Sequence, residues 1–211
     1  MRIEPRPDDV LIVVDVQYDF LPGGALAVPD GDAVIAPINA LAGRFAHVVL
    51  TQDWHPPGHA SFASSHEGKA PFETVELHYG TQVLWPDHCI QGTRGAEIAA
   101  ELRIDHAKLI IRKGTHPAVD SYSGFLEADR STPTGLAGYL KERSHARVFC
   151  AGLATDFCVA WTALDAVRAG FETFVVEDAS RGIDTNGSLA RALADLDAAG
   201  VSRLRADEVI E

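Results

Sequence analysis

The chain has 211 residues, 46% of them hydrophobic, and a formal net charge of −12. That length fits one large α/β domain with a substantial core, and the acidic balance argues against a nucleic-acid or anionic-membrane surface, either of which would cluster Lys and Arg. Three cysteines without regular spacing make neither a disulfide framework nor a Cys-rich zinc module, and neither a leader-type apolar segment nor a membrane-length apolar run is present, so the expectation is a cytoplasmic protein with reduced thiols.

Val10-Leu-Ile-Val-Val14 is a short run of β-branched and apolar residues, the pattern of a strand covered on both faces, and it ends in Asp15. A glycine-bearing loop, Leu21-Pro-Gly-Gly24, leads to a helical stretch from about Asp32 to Phe45. His47-Val-Val-Leu-Thr51 is the second strand and runs into Gln52-Asp-Trp-His-Pro-Pro57. From about residue 53 to 95 the chain is irregular, too long for an ordinary connection, and is either a functional loop or a small subdomain within a single domain spanning 1–211. A short helix is expected over Ala96 to Leu102, a third strand over Lys108 to Ile111 ending in Arg112-Lys-Gly114, and a helix from Gly135 to Arg143. Arg147 to Cys150 is the fourth strand. Beyond it Gly152 turns the chain into a helix starting near Thr155, with Val159, Ala163 and Val167 on one face and Gly170 as its stop. Phe171 to Val176 is a fifth strand, Ser188 to Ala199 an Ala-rich helix, and Ser202 to Arg205 a short last strand.

Buried strands alternating with helices predict a doubly wound α/β fold: a mostly parallel six-stranded sheet with helices on both faces. Such sheets bind ligands beyond the carboxyl ends of their strands, where the strand order reverses. Asp15, Asp53 with His55, Lys113 and Cys158 each stand at or just past the carboxyl end of a different predicted strand, so four reactive groups would share one sheet edge.

Thr155 as N-cap would put Cys158 at the third helical position, beside unpaired backbone N–H groups at the positive end of a helix. That setting lowers a thiol's pKa and makes a nucleophile; the alternative is a small apolar residue packed under a helix. Lys113 either pairs inside with Asp15 and the Cys158 thiolate or snorkels outward; Asp15 is a proton acceptor or a turn residue. Asp53 and His55 lie two apart on extended chain and point the same way, as ligands of a divalent zinc, manganese or iron ion would, or as polar loop residues. The long loop adds His59, His66, His78 and His88; the last sits in a proline-restricted Trp-Pro-Asp-His segment and is the strongest further ligand, while His66 and His78 read as solvated. Cys150 reads as core, and Cys89 beside one His has no zinc-site spacing.

Val14-Asp-Val-Gln-Tyr-Asp-Phe20, Thr51-Gln-Asp-Trp-His-Pro56, Leu84-Trp-Pro-Asp-His-Cys89, Lys113-Gly-Thr115, Asp120-Ser-Tyr-Ser-Gly-Phe125 and Gly152-Leu-Ala-Thr-Asp-Phe-Cys158 occur in this order along nearly the whole chain. Together they resemble the nicotinamidase/pyrazinamidase group of the isochorismatase-like cysteine hydrolases. The resemblance implies hydrolysis of nicotinamide to nicotinate and ammonia, and of pyrazinamide, in NAD salvage. It implies Cys158 as nucleophile, Asp15 as base and Lys113 as third catalytic residue; Asp53, His55 and His88 as ligands of one divalent transition-metal ion; and the N–H groups of Ala154 and Cys158 as an oxyanion hole, with a cis peptide between Leu153 and Ala154. Phe20, Trp85 and Tyr122 would wall the ring pocket. Some relatives carry a fourth histidine ligand where this chain has Ser61, with His59 two residues away, so waters are expected to complete the coordination. The expected partner is a small-molecule amide, with a homo-oligomer left open.

Other readings stand beside this one. The chain would be a cysteine amidohydrolase of the N-carbamoylsarcosine or ureidoacrylate type, although those relatives do not share the Asp-x-His and Trp-Pro-Asp-His pair. It would otherwise be a metal-only hydrolase with an inert Cys158, or a non-catalytic small-molecule-binding protein on the same fold.

Overall fold

The computed structural model describes residues 2–209. Strands β1 (Val10–Val14), β2 (His47–Asp53), β5 (Leu109–Lys113), β6 (Arg147–Leu153), β7 (Glu172–Arg181) and β8 (Ser202–Leu204) form one sheet in the order β5-β2-β1-β6-β7-β8. Every pairing in it is parallel. Strands β3 (Thr74–Leu77) and β4 (Gly80–Val83) form a separate antiparallel hairpin inside the long loop, which the sequence reading left irregular.

The side chains of β1 alternate between two cores. Leu11 and Val13 pack with Ile38, Leu41 and Ala42 of helix α1 (Ile35–Ala42). Val10, Ile12 and Val14 pack with Leu136 and Leu140 of α2 (Leu136–Glu142), Ala160, Ala163 and Ala166 of α3 (Ala160–Arg168), and Ala192 and Leu196 of α4 (Ser188–Ala198). Helices therefore cover both faces, which is why β1 carries an unbroken apolar run. The chain winds from β1 toward β2 and β5, then crosses back to β6 on the other side of β1. The switch point lies between the carboxyl ends of β1 and β6, the ends that carry Asp15 and the Cys158 turn.

Three local expectations are corrected. Residues 96–102 are not helical: a 3-10 turn over Arg94–Ala96 is followed by extended chain, with Ile98 bridging to Gln17. The carbonyl of Ala96 accepts the side-chain amides of Gln17 and Gln52, and Ala99 N–H donates to Val16 O, so tertiary bonds take the groups a helix would use. The segment leading from β6 into α3 starts as a single π-turn over Thr155–Val159, with Val159 N–H reaching back to Ala154 O. Its N-cap is Ala154, and Thr155 makes no capping bond. The stop at Gly170 holds: it has φ +95°, and Phe171 N–H closes onto Ala166 O.

Candidate active site

Lys113 is the hub. It is the last residue of β5 and has 0% exposure. Its Nζ forms ion pairs with Asp15 Oδ2 at 2.8 Å and with Asp53 Oδ1, donates to Ser121 O at 2.9 Å, and lies 3.4 Å from Cys158 Sγ. A buried ammonium needs such compensation, and it explains how a lysine can terminate an apolar strand facing inward. No local pattern shows that Asp53 shares Lys113 with Asp15; adjacency of β2 and β5 in the sheet creates that link.

Asp15 is equally buried, in the left-handed region at φ +49°, which Asp tolerates better than most residues. Thr51, at the end of neighbouring β2, donates its hydroxyl to Asp15 Oδ1 at 2.5 Å. Oδ2 has no aligned hydrogen-bond donor among the described residues, although the Lys113 charge stands beside it. Polar atoms of Asp15, Asp53 and Cys158 all lie within 4.8 Å of one another. Burial pushes the Asp15 carboxyl above the usual range against the pull of Lys113, which makes it a stronger base.

The thiol corrects an expectation. Burial, more than any other influence, pushes Cys158 well above an ordinary cysteine; Lys113 pulls it down, and the Asp15 and Asp53 carboxylates push it up again. Cys158 rests as a thiol, so its activation requires a proton acceptor. It sits on the π-turn, and the turn depends on Gly152: φ there is +129°, and a Cβ would stand 2.1 Å from Val14 O. The Leu153–Ala154 peptide is cis, as the resemblance implied.

On the other side of Asp53, Oδ2 faces His55 Nε2 at 3.7 Å and His88 Nε2 at 3.8 Å. His55 Nδ1 bonds to Gly114 O at 2.9 Å and His88 Nδ1 to Pro86 O at 2.8 Å, so each ring directs Nε2 to the common centre. Burial, followed by the neighbouring His55, pushes His88 down to about 4, which keeps it neutral. Burial opposes ionisation of Asp53, yet Lys113 and then His55 hold its carboxyl below the usual carboxylate range. Burial lowers His55, but the neighbouring Asp53 outweighs it and raises this imidazole above its ordinary value. One carboxylate and two imidazoles converging this way suit a zinc-, manganese- or iron-type ion with open positions. A further carboxylate, Asp120, lies close to His55 and His59, so a divalent cation would also balance the buried acidic groups.

His59 does not join that set. Its Nδ1 takes the Ser61 hydroxyl at 2.7 Å, and its Nε2 bonds to His116 O at 3.0 Å and Val119 O at 3.2 Å. Ser61 is spent on the same bond. His78 is exposed, while His66 bonds to Ala60 O at 2.8 Å rather than standing free in solvent. Cys150 is fully buried core, and Cys89 is also buried, with its Sγ 4.0 Å from Gly95 O.

A cleft of about 340 Å³ joins the two halves and is lined by Cys158, Ala154, Asp53 and His88 at its floor. The three wall residues expected from sequence, Phe20, Trp85 and Tyr122, line it, together with Leu26, Phe157 and Ile183. Leu26 and Ile183 carried no sequence signal beyond being apolar, whereas Phe157 belongs to the Gly152–Cys158 segment. An aromatic-walled cavity over a buried thiol and a set of nitrogen and oxygen side-chain atoms is suited to a small planar molecule.

The sequence profile described as Isochorismatase domain matches residues 9–208. The chain belongs to the isochorismatase family. Within that family it is 54% identical over 210 residues to a nicotinamidase from Acinetobacter baylyi, covering 100% of this chain and 98% of the relative. It resembles the solved nicotinamidase/pyrazinamidase of Acinetobacter baumannii with a TM-score of 0.96 at 59% identity, covering 97% of this chain and 99% of the other. The pyrazinamidase of Pyrococcus horikoshii, solved in complex with zinc, superposes with a TM-score of 0.76 at 38% identity, covering 94% and 99%. Among the described residues of this isochorismatase-family chain, no helix is long and apolar enough to cross a membrane.

Proposed function

We propose that this chain is a nicotinamidase: it hydrolyses the carboxamide of nicotinamide to nicotinate and ammonia, accepts pyrazinamide, and acts in cytoplasmic NAD salvage. The observation that carries the proposal is one cleft lined by Cys158, Asp53 and His88, behind which the Asp15–Lys113–Cys158 cluster and the Asp53–His55–His88 set meet through the shared Asp53–Lys113 pair. The similarity to nicotinamidases supports the choice of ring and amide.

Asp15 takes the Cys158 thiol proton, and Lys113 steadies both the carboxylate and the nascent thiolate. Sulfur attacks the carboxamide carbon, and the N–H groups of Ala154 and Cys158 hold the developing oxyanion. The carbon–nitrogen bond breaks as Asp15 returns the proton to the leaving ammonia. A water, deprotonated by Asp15, then adds to the thioester; the acid leaves and Cys158 recovers its proton. Asp53, His55 and His88 would hold one divalent transition-metal ion, which supplies a Lewis acid to bind and orient the ring nitrogen. Phe20, Trp85 and Tyr122 hold the ring so that the amide carbon faces sulfur.

The test is ammonia release from nicotinamide, pyrazinamide and benzamide under identical conditions. The first two carry a ring nitrogen meta to the carboxamide carbon and should turn over. Benzamide has nearly the same shape but no donor, and should be slower in kcat/KM by at least about a hundredfold, equivalent to about 3 kcal/mol. No ammonia from nicotinamide rejects the function; equal rates for benzamide reject the role of the ring nitrogen.

A further inference from the structure

The β3–β4 hairpin is mostly exposed and is joined to no other sheet. A two-stranded hairpin alone is marginal in water, so whatever anchors it sets the position of everything it touches. Of residues 74–83, Gln82 alone is buried, at 2% exposure. Its Nε2 lies 2.6 Å from Asp120 Oδ2, 2.7 Å from its neighbour Val83 O and 3.0 Å from Tyr122 Oη, so three acceptors share its two N–H donors. Its Oε1 accepts from Tyr79 Oη at 2.9 Å, and Tyr79 Oη in turn receives Asp120 N–H at 3.3 Å. The opposite amide orientation would set an oxygen against the Asp120 carboxylate, so the network itself fixes which atom donates. The result is a closed ring of hydrogen bonds between the hairpin and the 120–122 segment.

Tyr122 is where that ring meets the substrate cleft. Its hydroxyl also receives Trp85 Nε1–H at 3.0 Å, so two donors from two segments hold one wall side chain. Tyr122 and Phe157 line the catalytic cleft and also a second, outer cleft of about 680 Å³ that runs between the hairpin and Trp161 of α3. These two aromatic side chains therefore stand between the inner cavity and a larger space beside it. Nothing in the chemistry of the amide needs Gln82: it does not line the inner cleft and touches neither Cys158 nor the ligand set.

We infer that Gln82 is a positioning residue that sets the size of substrate this enzyme accepts, by pinning Tyr122 and so closing the catalytic cleft against the outer one. The inference rests on the nicotinamidase reading above. The substrate class it assigns to the intact protein is single-ring heteroaromatic amides. With the pin removed, the wall can yield toward the outer cleft, and amides with a second ring gain room that the intact protein denies them.

The experiment compares nicotinamide with quinoline-3-carboxamide and 5-phenylnicotinamide on the wild-type protein, Gln82→Ala and Gln82→Met. The Met variant keeps the length and volume of the side chain while deleting its bonds, which separates loss of the pin from loss of packing. The expected result is a kcat/KM ratio of two-ring to one-ring amide that rises about tenfold or more in both variants, within the range a reshaped pocket can deliver. For nicotinamide itself KM should rise while kcat and bound metal stay at wild-type levels, a split that general destabilisation would not produce. Tyr122→Phe, which removes the acceptor end of the pin and leaves Gln82 in place, should move the ratio the same way, and it keeps the inference testable where a Gln82 variant does not fold. A wild-type protein inactive on nicotinamide overturns the function proposed above. An active wild-type protein whose variants keep the ratio within about twofold overturns the role of Gln82 alone.

Discussion

Asp53 and Lys113 are register partners across the β2–β5 ladder, and the pair joins the two halves of the site. One oxygen of Asp53 serves the ammonium that also contacts Asp15 and Cys158, and the other faces the two histidines. In neighbouring parallel strands the register alone sets these residues side by side, with no contribution from loop conformation.

Removing the ammonium should therefore damage stability as well as turnover. Lys113→Met leaves the Asp15 and Asp53 carboxylates buried without their counter-charge, which typically costs about 3–5 kcal/mol. The double variant Lys113→Met/Asp53→Asn should recover part of that stability and none of the activity. Urea unfolding and ammonia release on the same preparations measure both; a single variant as stable as wild type would show that the pair does not balance the site.

The metal set should depend on a residue that is not a ligand. Gly114 has φ +64°, its carbonyl accepts from His55, and a Cβ there would lie 2.4 Å from the His55 ring. Gly114→Ala should fold with its far-UV dichroism intact while losing most of the roughly one metal ion per chain expected of a three-ligand site. His55→Ala and His88→Ala should do the same. Elemental analysis decides: full occupancy in all three variants would refute the ligand assignment.

Cys158→Ala should fold and keep its metal while amide hydrolysis falls by about 10⁴-fold or more, as deletion of a covalent nucleophile does. Quenched-flow mass spectrometry of the wild-type protein should find an acyl adduct on Cys158. Turnover by the alanine variant above about 1% of wild type would exclude the covalent route.

Away from the site, Asp165 of α3 ties down the segment after Asp120. Both arms of Arg130 and Arg168 Nη1 donate to its carboxylate, which is 2% exposed. Burial pushes this carboxyl up, but the bonds from Arg130, Ser123 and Arg168 outweigh it and hold it below its ordinary value. A depressed folded pKa contributes stability that is present above the unfolded value, about 3.9, and is lost as pH falls through the folded one. Asp165→Asn should cost about 1–2 kcal/mol at neutral pH, modest because both arginines are partly solvated. The gap to wild type should close as pH is lowered below the unfolded value. Urea midpoints across that range measure it, and a gap independent of pH would mean that packing, not charge, explains the loss.

The sequence by itself determined the sheet and the place of its chemistry. A short, β-branched apolar run such as Val10–Val14 is the pattern of a strand covered on both faces, and Asp15, Asp53, Lys113 and Cys158 fall at or past strand ends whatever the lateral order of the strands. Directional alternation also sufficed to put Asp53 and His55 on one side of β2's extension. What the tertiary structure decided depends on lateral order and on bonds between distant segments. Only the adjacency of β2 and β5 makes Asp53 share Lys113, and only burial by surrounding layers turns Cys158 from an expected low-pKa thiolate into a stored thiol. The short helix expected over 96–102 gives way to bonds from the Gln17 and Gln52 side chains, and the Gln82 ring spans residues about forty apart. Local pattern carries no record of such partners, because a hydrogen bond between distant segments is set by where the whole chain brings them, not by the residues on either side.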